Sequence, residues 1–407
     1  MKKRIYLDHA ATTPVRSEVT KAMQEYFASN FGNPSGLYLE ARDAKLILDR
    51  SRKDVARLIG ARKPSEVIFV GGGTESCNLA IKGIARANKI KDSHLLVSKI
   101  EHYAVLCPTR YLREKEGFKT TYIKPDREGI VQPEDIKKLI TDKTILISIM
   151  YANNEIGTIN PISEIAKIIK KIKAQRSKAG NNTPLYFHTD ACQAAGYLDI
   201  NVGHLGVDLM TLNGSKIYGP KGVGILYIKE GTLIQPVIQG GGQEKDIRSG
   251  TENIPSIVGF AKALSLTQSE RNKESQRLIK LRNYFINELL KFPKTCLNGH
   301  AKKRLPNNVN ISVLDIEGES ILLYLDEKGV AISTGSACHA HDLEPSHVIR
   351  GIGRSQDAAH GSLRFTMGKS TTKKDLDYVL KVLPNIISKL RTMSPIKLSE
   401  KECEKND

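Results

Sequence analysis
The chain has 407 residues, 40% hydrophobic and 26% charged, the balance of a folded globular protein rather than a disordered one. Lysine and arginine total 62 against 44 acids, a formal charge of +18 that would attract acidic partners. No apolar run reaches membrane-spanning length and the basic opening Met1-Lys2-Lys3-Arg4 has no apolar stretch behind it, so no membrane association is expected and cytoplasm is the expected compartment.

Along the chain, apolar runs at 66–70, 95–98, 120–123, 144–150, 185–189, 208–212 and 222–228 read as strands. Amphipathic segments such as 74–87 and 163–173 lie between them. This alternation predicts an α/β fold with a mostly parallel sheet flanked by helices, and such sheets bind ligands at the carboxyl ends of their strands. A glycine-rich loop at 240–243 precedes two helices, 256–274 and 277–291. After Pro293 the pattern restarts: strand 308–314, helix 319–327, strand 330–333, a helix after Glu344, strand 362–367 and helix 374–390. This reads as a smaller α+β domain, followed by a charged tail from 393 that is expected to fray. The isoleucine–lysine run at 167–173 reads as one amphipathic helix, and no interleaved aromatics offer base stacking, so nucleic acid is not expected as the primary partner.

The six cysteines, at 77, 107, 192, 296, 338 and 403, include no C-x-x-C pair. Neither a disulfide framework nor a metal site is expected. In Cys338-His339-Ala340-His341 the thiol sits in a small-residue loop, where a reactive role fits better than metal binding.

Lys216 and Asp190 each follow a predicted strand. A lysine amine can form a Schiff base with the aldehyde of pyridoxal phosphate, and a carboxylate can keep the pyridine nitrogen protonated. Taken singly, either residue is more often a solvated surface group. Gly71-Gly72-Gly73-Thr74 follows strand 66–70 and opens a helix, which suits a phosphate, although a glycine run alone is often a mere turn. His102 follows strand 95–98 and could lie on a cofactor ring or serve only as a hydrogen-bonded structural residue. Asn153-Asn154 and Gln193 place amides at strand ends. Arg364 lies in an otherwise apolar strand and needs an anion: a substrate carboxylate or an internal ion-pair partner.

Tyr6-Leu7-Asp8-His9-Ala10-Ala11-Thr12-Thr13-Pro14, Gly32-Asn33-Pro34-Ser35, Gly73-Thr74-Glu75-Ser76, Glu101-His102, Asn153-Asn154-Glu155-Ile156-Gly157, His188-Thr189-Asp190, Arg248-Ser249-Gly250-Thr251, Gly335-Ser336-Ala337-Cys338 and Leu363-Arg364-Phe365 occur in order over nearly the whole chain. Together they resemble the NifS/IscS-type cysteine desulfurases, pyridoxal-phosphate enzymes of the aspartate-aminotransferase fold type. The resemblance implies Lys216 as the Schiff-base lysine, Asp190 at the ring nitrogen, His102 stacked on the ring, and Asn154 and Gln193 at its oxygen. It places the phosphate on Gly73, Thr74, Asn213 and Ser215, with Thr251 reaching the site of a second subunit in a homodimer. L-cysteine would be held by Arg364, with Asn33 and His9 beside it, and Cys338 would take its sulfur as a persulfide. No resident metal is implied, and iron–sulfur chemistry would enter only by hand-over through Cys338.

The implied acceptor is an acidic sulfur acceptor or an iron–sulfur scaffold protein, serving cluster assembly or tRNA thiolation. The implied division is an arm at 1–15 associated with the small domain, a cofactor-binding domain at 16–262, the small domain at 263–392 and the tail at 393–407. Two departures stand out: Asn213-Gly214-Ser215-Lys216 replaces the usual Ser-Gly-His-Lys, and the histidine usual after Asn-Pro-Ser is absent around Leu37-Tyr38. A selenocysteine lyase or another transferase of this fold type, and an inactive basic scaffold, remain alternatives.

Overall fold
The computed structural model describes residues 4–334, 345–395, 397–399 and 403. A short strand β1 (Ile5–Tyr6) opens the chain and is followed by helices Ser17–Ala28 and Leu39–Leu58. Seven strands then build the main sheet: β2 (Val67–Val70), β3 (His94–Ser98), β4 (Lys119–Ile123), β5 (Thr144–Ser148), β6 (Tyr186–Asp190), β7 (Leu209–Asn213) and β8 (Gly224–Ile228). Their order is β2-β8-β7-β6-β5-β3-β4. Only β8 runs antiparallel to its neighbours β2 and β7. The carboxyl ends of β2, β3, β5, β6 and β7 therefore share one edge, the place where an open α/β sheet binds ligands.

The two-residue period of a strand sets both cores. Val67 and Phe69 of β2, with Ile225 and Tyr227 of β8, enter one apolar cluster. The alternate residues Ile68, Val70, Leu226 and Ile228 enter the cluster on the opposite face.

A second unit has its own core and a three-stranded antiparallel sheet ordered β12-β10-β9, from β9 (Thr295–Leu297), β10 (Asn308–Val313) and β12 (Ser362–Thr366). Strand β11 (Val330–Ala331) pairs in parallel with β1, so the N-terminal segment lies against this unit. Asp8 also bridges Thr366.

Two sequence expectations are corrected. The helices expected at 256–274 and 277–291 are one 36-residue helix, Ile254–Leu289. Its polar middle reads as a break because it binds a loop rather than an apolar face: Gln268 donates to the carbonyl of Ala195, Arg271 to Leu198 and Ser275 to Tyr197. The apolar residues on either side enter different cores, Phe260 and Leu264 one, Leu278 and Phe285 the other. Cys296 and Cys403 form a disulfide across 107 residues, a separation at which no local spacing signals a pair. Nearby, Lys294 holds Asp315 and the carbonyl of Leu398, and Asp315 accepts from the Leu398 N–H.

Candidate active site
The sheet edge brings most of the expected residues to one cavity of about 360 Å³. Asp190 is the last residue of β6, and Lys216 ends the turn Gly214–Lys216 that follows β7. His102 caps helix Tyr103–Glu116 after β3, accepting the Ala104 N–H on Nδ1 at 3.0 Å. Asn154 and Gln193 follow β5 and β6. All five line the cavity together with Gly73, Thr74, Asn213 and Arg364.

Gly72 at φ +147° makes the sharp entry from β2 into helix Gly73–Asn78, a backbone that side chains rarely adopt. A Cβ on Gly73 would lie 3.0 Å from Cys192 Sγ and 3.4 Å from Asn213 Cβ, so only a glycine leaves this corner open. The first N–H groups of a helix have no partner within it, and here they face a groove lined by Thr74, Asn213 and Ser215.

Lys216 Nζ lies 2.9 Å from the carbonyl of Ala10 and 2.5 Å from that of Ala11, and Gln193 also donates to Ala10 at 2.9 Å. The N-terminal segment therefore closes one wall. Arg364 comes from β12 in the smaller unit. Its Nη2 reaches Asp8 Oδ1 at 2.8 Å, its Nη1 the carbonyl of Asn154 at 3.0 Å, and its buried Nε has no partner among the described residues. Arg364 thus has an internal ion-pair partner in Asp8, one of the two anions expected for it.

Burial governs the electrostatics. It pushes the thiols of Cys77 and Cys192 well up and lowers the His102 imidazole, so all three are uncharged near neutrality. The buried Glu101 carboxyl is also pushed well up; one oxygen accepts the Met150 N–H at 2.6 Å and the other has no partner among the described residues. Glu155, next to Asn154, is raised by burial to about 7, against the opposing effects of the Ser346 hydroxyl and Arg364.

His9 and Asn33 do not line the cavity. His9 is buried behind it, Nδ1 3.0 Å from the Thr366 carbonyl and its ring edge-on to Tyr6. Asn33 is exposed, its Oδ1 accepting the Ser35 N–H. Thr251 is exposed as well. Cys338 lies outside the described residues; Ser333 before it pairs with Arg364, and Ser346 after it donates to Glu155. Sequence reasoning missed Asp8, Glu155 and the Ala10 and Ala11 carbonyls. Only the rule that a buried arginine needs an anion pointed toward Asp8.

The donor set fits pyridoxal phosphate: a primary amine on the wall, a buried carboxylate, an uncharged imidazole, and a glycine corner that a Cβ would fill. The aminotransferase class-V family matches residues 5–379. The chain is 52% identical over 398 residues to the cysteine desulfurase IscS of Dictyoglomus turgidum, with 98% of both chains covered. To the cysteine desulfurase IscS of Methanosarcina thermophila it is 49% identical over 394 residues, covering 97% of this chain and 94% of that one. Among solved structures, a NifS-like protein aligns with a TM-score of 0.87 at 34% identity, covering 95% of this chain and all of the other. A protein described as SspA in complex with cysteine aligns with a TM-score of 0.78 at 33% identity, covering 90% and 99%.

Proposed function
Because the chain belongs to the class-V aminotransferases and, within them, to the NifS/IscS cysteine desulfurases, we propose that its sheet-edge cavity removes sulfur from L-cysteine to leave L-alanine. The observation that carries this reading is the convergence of Lys216, Asp190, His102 and Arg364, drawn from two sheets, on one cavity. Pyridoxal 5′-phosphate is the cofactor, and when bound it supplies the sink for the electrons left when the substrate Cα proton departs.

The remaining roles fall to this chain. Lys216 would hold the cofactor through Nζ, and the same amine would take the substrate Cα proton. Asp190 would lie beside the ring nitrogen. His102, uncharged, would stack on the ring, and Asn154 and Gln193 would hold its oxygen. The helix start at Gly73 and Thr74 would take the phosphate, with Asn213 and Ser215 as additional donors. Arg364 clamps the substrate carboxylate through the donor that its ion pair leaves free. Cys338, as thiolate, attacks the substrate sulfur; the C–S bond breaks, Cys338 keeps the sulfur as a persulfide, and the substrate carbon takes a proton to become alanine.

We further infer a homodimer, with Thr251 of each copy at the phosphate of the other. Large apolar side chains left exposed on the first two helices and between them, Phe27, Phe31, Leu37 and Leu46, support a covered face. The basic charge suits an acidic acceptor that carries the persulfide sulfur to iron–sulfur assembly or tRNA thiolation. Among the described residues no helix is long and apolar enough to cross a membrane.

Borohydride should fix the cofactor to the peptide containing Lys216, and Cys338→Ser should retain the cofactor while losing persulfide and sulfide formation. An adduct on Lys221, or normal sulfide release by Cys338→Ser, overturns the assignment.

A further inference from the structure
Asp190 sits among buried side chains, and its own hydrogen bonds decide how its carboxyl group is oriented. Beneath the cavity lies a chain of buried polar side chains whose donors can be assigned one by one. Ser76 Oγ lies 2.9 Å from the Ile225 carbonyl, which can only accept. Ser76 therefore accepts the proton of Thr211 Oγ1, also at 2.9 Å. With its proton committed there, Thr211 Oγ1 accepts from His188 Nε2 at 3.0 Å. That fixes His188 as the Nε2–H tautomer and leaves Nδ1 to accept from Ser148 Oγ at 2.8 Å. Burial lowers His188 to about 4, so the ring is neutral and has one proton to give.

Beside this chain, Cys77 Sγ is fully buried and lies 3.7 Å from both Asp190 Oδ2 and Thr211 Oγ1. A carboxyl oxygen is a better acceptor than a hydroxyl whose proton is committed elsewhere, so the S–H goes to Asp190. The other oxygen, Oδ1, accepts the Cys192 N–H at 2.9 Å. Cys77 Sγ and the Cys192 N–H thus approach different oxygens of Asp190, and together they set the plane of the carboxyl group.

We propose that Cys77 is a positioning residue: its S–H, paired with the Cys192 N–H on the other oxygen, aims the Asp190 carboxylate at the pyridine nitrogen of the bound cofactor. This rests on the reading of Asp190 as the ring-nitrogen partner. Nothing in the reaction uses Cys77 as a nucleophile, and burial keeps its thiol protonated and able to donate.

The test loads apoprotein with ring-¹⁵N pyridoxal phosphate and reads the nitrogen resonance and the rate of cofactor loss. In Cys77→Ala the resonance should move toward that of an unprotonated pyridine, and cofactor should leave about two- to fivefold faster, the loss expected for one modest hydrogen bond. Cys77→Ser, which restores a donor, should return both toward the parent. A purely structural role would lower the melting temperature and leave the resonance in place. Should the alanine variant not fold, Cys77→Val keeps the bulk without the donor and reads the same signal. A resonance in the donor-less variant that coincides with the parent overturns the proposal. Asp190→Asn separates the two claims: if it leaves the resonance unmoved, the role of Asp190 fails, and if it alone moves the resonance, only the role of Cys77 fails.

Discussion

Replacing Glu155 by glutamine should remove a pH dependence of stability from the fold without dismantling its surroundings. Glu155 is 5% exposed, and burial raises its carboxyl from 4.5 to about 7. Ser346 Oγ accepts the N–H groups of Val348 and Ile349 at 3.1 and 3.2 Å, capping helix His347–Gly351, so its own proton goes to Glu155 Oε2 at 2.5 Å. A glutamine oxygen accepts that proton equally well, and the cap should survive. The folded state holds the Glu155 proton more tightly than the unfolded chain does. Its stabilising contribution is therefore complete below pH 4.5 and lost as pH rises through about 7. The span corresponds to about 3 kcal/mol. For a chain of this length that is roughly 3–4 °C in melting temperature. Thermal or urea unfolding of both proteins across this range should show the parent losing that much relative to Glu155→Gln as pH rises. Other buried acids such as Glu101 cancel in the difference. A constant difference across the range would refute the account of Glu155 as a buried carboxyl that ionises against its surroundings.

Arg364→Lys should raise the KM for cysteine about tenfold or more while cofactor content holds, because a point charge cannot serve Asp8, the Asn154 carbonyl and a substrate carboxylate together; an unchanged KM would make Arg364 purely structural. Gly73→Ala should cut cofactor retention, measured by absorbance after dialysis, since the added Cβ crowds Cys192 Sγ at 3.0 Å and closes the phosphate corner. Ser215→Ala should weaken retention measurably without emptying the site, with Thr74→Ala at least as harmful; complete loss in the first and none in the second would move the phosphate elsewhere.

The legible part of the site follows from one physical fact. Parallel strands buried on both faces are continuous apolar runs, so their ends stand out as the points where polar residues resume. Asp190, Lys216, Gly73 and His102 all sit at such points, and the sequence locates them because a short local window contains both the run and its end. The boundaries shift by a residue or two, as at β6, expected at 185–189 and found at Tyr186–Asp190. The long helix Ile254–Leu289 was not legible because its polar middle pairs with carbonyls at 195–198, a partner that no helical periodicity encodes.

The illegible part is every contact that closes the site from outside the sheet. Asp8 and Arg364 are 356 residues apart in sequence, Lys216 rests on carbonyls about 205 residues before it, and Cys296 meets Cys403 across 107. None of these carries a local pattern. What does survive in the sequence is the demand each group makes: a buried guanidinium requires an anion, and a half-buried amine requires acceptors. A segment of ten residues, Ile5 to Pro14, meets both demands at once, pairing β1 with the smaller unit, offering Asp8 to Arg364 and presenting two carbonyls to Lys216. The amine that bonds to the cofactor and the guanidinium assigned to the substrate are thus positioned by the same short stretch. A change there, such as Asp8→Asn, should disturb cysteine binding through Arg364 before it affects the sheet.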